Sequence, residues 1–171
     1  MFYTIYRNRP VITRHVELEN TSTQAVDIEK IASMQLDLTK QPLEVISLPG
    51  SYARERQIER HSLRRGLTQF ESRRGSSSHQ MNPFVALVRP NTDEFSGEAL
   101  GMMFVYSGNH QISLERDQAN QTRLTVGISE FNFDWKLGPK ETFVTPEAIL
   151  TYTDGGLNAM SQVLHSLVRE R

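Results

Sequence analysis

Side chains alternate along most of this chain with the period of a β-strand. Met34, Leu36 and Leu38 alternate with Gln35 and Asp37. Ile12, Arg14, Val16 and Leu18 alternate with Thr13, His15, Glu17 and Glu19, and Asn20-Thr21-Ser22 closes that run with turn chemistry. Leu43 to Leu48 is a short apolar run ended by Pro49-Gly50. Further strands are predicted over 67–72, 84–89, 98–106, 110–117, 121–128, 131–137 and 142–153. Turn signals separate them at Arg89-Pro90-Asn91, Ser107-Gly108-Asn109, Asp117 to Gln121 and Gly138-Pro139-Lys140. Strands about ten residues apart, joined by short turns, predict an all-β sandwich or barrel.

One segment departs from this pattern. After Asp154-Gly155-Gly156, the residues Leu157, Met160, Leu164 and Leu167 fall on one face of an amphipathic helix. Asp154 is expected to cap it. The helix reads either as a linker leading into a following domain or as a surface helix on a complete one. Its pattern is unfinished at Arg171, and Met1-Phe2-Tyr3-Thr4-Ile5-Tyr6 enters a strand without lead-in, so both ends are expected to be cuts. The expected division is 1–154 for the β-portion and 155–171 for the helix.

Composition excludes several functions. Hydrophobic residues are 37% and charged residues 23%, the balance of an ordinary globular domain. A net charge of −1 argues against nucleic acid or an anionic membrane as partner. With no cysteine, disulfides, thiolate metal sites and cysteine nucleophiles are out, and a reducing, cytoplasmic setting is expected. The start lacks the basic and apolar regions of a signal peptide, and no run reaches the roughly 18 apolar residues of a spanning helix.

Five constellations carry chemistry, each with a structural alternative. Arg54, Arg56, Arg60, Arg64, Arg65, Arg73 and Arg74 could bind phosphates, but Glu55, Glu59 and Glu71 interleave with them and suggest a salt-paired surface or a subunit interface. His15, His61, His79, His110 and His165 show no metal-ligand spacing, so no metal and no cofactor are expected. Glu98, Glu141, Glu147 and Asp134 are the carboxylates that a glycosidase pair could use. Asp134 lies between Phe133 and Trp135, and alternation turns it away from the aromatic layer. The loop Arg73 to Phe84, with Ser76-Ser77-Ser78, could reach sugar hydroxyls or satisfy its own backbone. In Gly50-Ser51-Tyr52-Ala53-Arg54-Glu55-Arg56, Tyr52 is either a platform for a pyranose or a plug at the sandwich edge.

Read in order, the tags Leu48-Pro49-Gly50-Ser51-Tyr52-Ala53-Arg54-Glu55-Arg56, Ser72 to Gln80, Asn82-Pro83-Phe84, Tyr106-Ser107-Gly108-Asn109, Gln121-Thr122-Arg123, Gly127-Ile128, Phe133-x-Trp135, Thr145-Pro146-Glu147-Ala148, Gly156-Leu157-Asn158-x-Met160-Ser161 and His165 span nearly the whole chain. Together they resemble the amino-terminal β-domain of bacterial α-galactosidases of glycoside hydrolase family 36. The resemblance implies a β-supersandwich of the galactose mutarotase-like kind, incomplete at its amino-terminal side, with a carboxy-terminal linker helix. It implies that the nucleophile and the acid/base Asp of this retaining family lie in a catalytic barrel after Arg171, so that no residue here is catalytic. The parent would hydrolyse terminal α-galactosyl groups of melibiose- or raffinose-type sugars. Its barrel, those sugars and further copies in a homo-oligomer are the implied partners.

Tyr52 stands where the family's aromatic contributes to the galactose pocket, and departs from the Trp expected there. It is the one implied substrate-binding residue. The rival readings are a stand-alone carbohydrate-binding module, using Tyr52, Tyr106 or Trp135, and a mutarotase-like enzyme pairing His110 with Glu147. A β-domain lacking its first strands is also expected to expose sheet edges and to self-associate.

Overall fold

The computed structural model describes residues 1–170. In chain order its strands are β1 (Phe2–Ile5), β2 (Val11–His15), β3 (Glu17–Glu19), β4 (Val26–Ile28), β5 (Ala32–Leu38), β6 (Glu44–Pro49), β7 (Glu59–Ser62), β8 (Gly66–Glu71), β9 (Met81–Val88), β10 (Ala99–Val105), β11 (His110–Arg116), β12 (Thr122–Ile128), β13 (Trp135–Leu137), β14 (Thr142–Val144) and β15 (Glu147–Thr153). Helix α1 (Gly156–Glu170) closes the described chain.

Two antiparallel sheets build the sandwich. The larger has seven strands in the order β1-β2-β15-β10-β9-β6-β7, and the smaller has four, β5-β12-β11-β8. Between them Met34, Val45, Phe70, Val85, Leu87, Met102, Phe104, Ile112, Leu114, Leu124 and Val126 form the main core. The two-strand ribbons β4–β13 and β3–β14 close one end over Ile28, Leu137 and Phe143.

The wide sheet is covered on its back by α1. Met160, Leu164 and Leu167 pack on Val11, Ile46, Ala86, Val88, Ala99 and Ile149. This explains why Val85 to Val88 is an unbroken apolar run, buried at every position, and why Val45 and Ile46 are both buried: these strands are covered on both faces. Gly101 on β10 makes the helix seat possible. A Cβ there would come within 2.8 Å of the Met160 sulfur.

The helix starts near its predicted place, but Asp154 is not what holds its first turn. The amides of Gly156, Leu157 and Asn158 donate to the carbonyls of Gly97 (3.0 Å), Asp93 (3.0 Å) and Glu94 (2.9 Å). The orphan donors of the helix start are thus met by main chain from the β9–β10 loop.

Other boundaries also move. The predicted strand 131–137 shrinks to β13, because Asn132 takes a left-handed φ of 54° and breaks the extension. The predicted strand 142–153 divides at Thr145-Pro146, where Val16 and Thr145 exchange hydrogen bonds and the pairing passes from the ribbon β3–β14 to β2–β15. In β2 it is Val11 and Thr13 that are buried beneath α1, while Ile12 faces the sandwich side and is partly exposed. No helix of the described residues is long and apolar enough to cross a membrane.

Candidate functional site

Three of the motifs read in the sequence meet at one end of the sandwich. The turn after β10, Tyr106-Ser107-Gly108-Asn109, anchors the serine-rich loop: the Ser107 carbonyl accepts from the Ser77 amide at 2.8 Å, and Asn109 Oδ1 accepts from the Gly75 amide at 2.6 Å. The Tyr106 ring folds back over Gly108, where a Cβ would lie 2.5 Å from it. The other side of the loop joins the Tyr52 segment. The Gly50 amide donates to the Gln80 carbonyl (3.1 Å), and Asn82 Nδ2 donates to the Leu48 carbonyl (3.1 Å). Within the loop, the Ser72 hydroxyl donates to the Ser76 carbonyl, and Ser78 Oγ accepts from the Gln80 amide. These serines serve their own backbone.

Tyr52 sits at the tip of a two-residue turn. Ser51 and Arg54 exchange two main-chain hydrogen bonds of 3.0 Å around it, and Ala53 carries the left-handed φ of 59° that such a tight reversal demands. The ring is 89% exposed, so Tyr52 plugs no edge of the sandwich. Arg56 and Ile58, a few residues on, line a groove of about 800 Å³ between α1 and the back of the wide sheet. Phe84, Met103, Val105, Leu157 and Val168 give it an apolar wall, while Glu94, His165 and Arg169 lie among its polar lining residues. Sequence reasoning missed this groove because its residues come from four separate elements. The signal available was Ile58 and Val168, apolar side chains on otherwise polar faces, which are 70% and 62% exposed.

Within the arginine-rich stretch, Arg60 and Arg73 are salt-paired. Arg60 Nε donates to Glu44 at 2.5 Å, and its other nitrogens donate to the carbonyls of Arg89, Pro90 and Thr92. Arg73 pairs with Glu71 at 2.6 Å and lies over the Phe131 ring. Strand β7 runs through this stretch unannounced, since Glu59-Arg60-His61-Ser62 holds no apolar residue. Among the described residues no group of three or more His, Asp or Glu side chains could hold a metal ion.

The four candidate carboxylates are not gathered. Glu98 accepts from Arg89 Nε at 2.6 Å, and that hydrogen bond holds its carboxyl below the usual range. Tyr152 donates its hydroxyl to the same carboxylate, and burial pushes the phenol pKa up. These three side chains border a cleft of about 120 Å³, well below the roughly 300 Å³ at which small-molecule pockets begin. Glu141 accepts from the Gly138 amide across the β13–β14 turn, Asp134 is exposed, and Glu147 lies half-buried at the start of β15. His110 is fully buried at the start of β11, and burial lowers its pKa to about 4 against the opposing pull of Glu71.

The family model described as Glycosyl hydrolase family 36 N-terminal domain matches residues 1–138. The α-galactosidase Mel36A of Lactobacillus acidophilus is 53% identical over 171 residues, covering 100% of this chain and 23% of that protein. The crystal structure of the α-galactosidase AgaA from Geobacillus stearothermophilus superimposes with a TM-score of 0.97 at 47% identity, covering 99% of this chain and 24% of that one. A variant of AgaA in complex with raffinose superimposes equally well, with a TM-score of 0.97. The chain therefore spans about a quarter of the length of the relatives it matches.

Proposed function

Because this chain belongs to the family of glycosyl hydrolase family 36 N-terminal domains, we propose that it is the non-catalytic β-domain portion of an α-galactosidase. The parent reaction is hydrolysis of terminal α-galactosyl groups from melibiose- or raffinose-type sugars, with retention, in the cytoplasm. The observation that carries this reading is the match of the entire chain to only 23% of an α-galactosidase. The state of the carboxylates agrees with it. Glu98 and Glu141 are engaged in structural hydrogen bonds, and Asp134 is exposed and lines neither concavity. A retaining pair would need two carboxyls about 5 Å apart facing one sugar.

In this reading residues 1–154 are the sandwich portion, and 155–171, of which Arg171 lies outside the described residues, the helix segment that leads to the catalytic barrel. The groove between α1 and the wide sheet is where the rest of the parent packs, which accounts for the exposure of Ile58, Val105 and Val168. Tyr52 and its turn form part of the substrate pocket wall, and the loops around it serve the subunit contacts of a homo-oligomer. The test is to incubate the chain with a chromogenic α-galactoside. No turnover is expected. Turnover abolished by replacing a carboxylate of this chain would overturn the reading.

One observation favours a second reading, a stand-alone carbohydrate-binding module: the Tyr52 ring is presented free on a rigid turn. Titration calorimetry with galactose and raffinose separates the two. Binding by the isolated chain, lost in Tyr52→Ala, supports the module; no binding supports the pocket wall.

A further inference from the structure

The hairpin that carries Tyr52 leaves the wide sheet at a break in the ladder between β6 and β9. Pairing runs in step from Glu44 opposite Val88 to Ser47 opposite Val85, then slips and resumes at Pro49 opposite Met81. Leu48 on β6 therefore stands against three residues of β9, Asn82-Pro83-Phe84. Strand β9 is interior, with β6 on one side and β10 on the other. A proline has no N–H to give to a ladder, and within a sheet interior it is confined to irregularities of this kind.

A side chain supplies a donor at the break. From a half-buried position, Asn82 Nδ2 donates to the Leu48 carbonyl at 3.1 Å. Two residues further along β6 the hairpin begins. Its base is clamped on both sides: the Gly50 amide donates to the Gln80 carbonyl at 3.1 Å, and the Gln57 amide to the Pro49 carbonyl at 2.7 Å. There is no slack at Gly50, where a Cβ would lie 2.8 Å from the carbonyl oxygens of both His79 and Arg54. A hairpin closed in this way carries its tip with it when its base turns. The angle at which β6 leaves the sheet therefore decides where the Tyr52 ring stands. Breaks in a ladder beside functional sites re-aim side chains by this means.

We propose that Asn82 is a positioning residue for oligosaccharide substrates, acting through Tyr52; this rests on the reading of Tyr52 as part of the substrate pocket wall. Asn82 touches no sugar. Its amide fixes the exit of β6, and so holds the Tyr52 ring at the height and angle that meet the part of a raffinose-type sugar beyond its terminal galactose. Asn82 also lines the groove between α1 and the wide sheet, where the rest of the parent is placed. A role confined to that packing would affect stability, or all substrates alike, and would not discriminate by sugar length.

The experiment is made in the whole parent α-galactosidase, with Asn82→Asp, Tyr52→Ala and the double variant. Aspartate keeps the shape of asparagine but, ionised, cannot donate, and it sets its oxygens against the Leu48 carbonyl. In Asn82→Asp, KM for raffinose should rise about threefold or more, while KM for a small chromogenic galactoside and kcat for both change by less than about twofold. The double variant should match Tyr52→Ala on raffinose, because both changes act through one ring. Amide exchange over residues 50–57, followed by mass spectrometry, should quicken roughly tenfold in Asn82→Asp, as loss of one hydrogen bond implies, with the rest of the sandwich unchanged. Should that variant fail to fold, Asn82→Ala, which removes the donor without adding a charge, takes its place. Equal losses on both substrates, effects of Asn82→Asp and Tyr52→Ala that simply add, or unchanged exchange over 50–57 overturn the proposal. When these occur beside a clear effect of Tyr52→Ala, Asn82 alone loses its role. If Tyr52→Ala itself leaves both substrates untouched, the pocket-wall reading fails and takes the positioning role with it.

Discussion

The amide of Leu157 donates to the carbonyl of Asp93 across 3.0 Å, tying the first turn of α1 to the loop that joins β9 to β10. The same loop is itself braced by Asp93, whose Oδ1 accepts from the amides of Phe95 and Ser96 at 2.8 Å. Helix start and hairpin loop are thus one hydrogen-bonded unit. Gly156 sits at its centre with a φ of 78°, and a Cβ there would come within 2.5 Å of the Ser96 nitrogen and 2.7 Å of the Asp93 oxygen. Gly156→Ala is therefore expected to cost at least about 2 kcal/mol, the left-handed penalty plus a clash with main chain that cannot swing aside. Chemical denaturation of the two proteins would measure it; a loss under 0.5 kcal/mol would show that the unit is loose.

How far this was legible in the sequence differs by element. Strands β5, β8, β11 and β12 follow from period-2 alternation, because one side of each packs into the sandwich while the other faces solvent. Strand β7 was invisible, since an edge strand guarded by charges carries no apolar signal. The face of α1 was readable from Met160, Leu164 and Leu167, but its anchoring was not: hydrogen bonds to the carbonyls of residues 93, 94 and 97 leave no mark on side-chain identity. For the same reason the loop cluster at Tyr52 showed its motifs but not their meeting, which runs through the main chain of Gly50, Gln80, Ser77 and Ser107.

His110 makes stability depend on pH in a predictable window. Both ring nitrogens are buried without a hydrogen-bond partner, and burial brings the folded-state pKa to about 4 from an ordinary 6.5. The unfolded chain binds a proton near pH 6.5 while the folded chain resists until about 4. As pH falls through that interval the proton favours the unfolded state, and below it this residue adds no further slope. The loss approaches about 3 kcal/mol across the window, as a shift of this size implies. In His110→Leu the slope between pH 6.5 and 4 should flatten. Urea midpoints at four pH values test this, and an unchanged slope would remove His110 as the cause.

Leu164 and Val168 lie one turn apart on α1 and are expected to behave oppositely. Leu164 is 8% exposed and sits in the core beneath the helix, so Leu164→Ala should destabilise by about 2 kcal/mol or more. Val168 is 62% exposed on the groove, so Val168→Asp should change the stability of this chain by less than about 0.5 kcal/mol. In the whole parent protein the same change puts a charge into the proposed packing surface, and should release the β-domain from its neighbour. Limited proteolysis would report this as new cleavage after α1. Equal resistance of the two parents would mean that nothing packs in the groove.

Tyr52 separates a structural role from a functional one. With its ring 89% exposed and its turn held by the main chain of Ser51 and Arg54, Tyr52→Ala should leave the melting temperature of the chain within about 2 °C. If the ring contributes to the pocket wall, the same substitution in the parent should raise KM for raffinose several-fold more than KM for a small chromogenic galactoside, because only the longer sugar reaches beyond the terminal galactose. Tyr52→Trp should restore most of the loss, since it keeps a flat apolar face at the tip of the same turn. Equal effects on both substrates would instead assign the ring to the terminal galactose itself, and no effect on either would take Tyr52 out of the pocket.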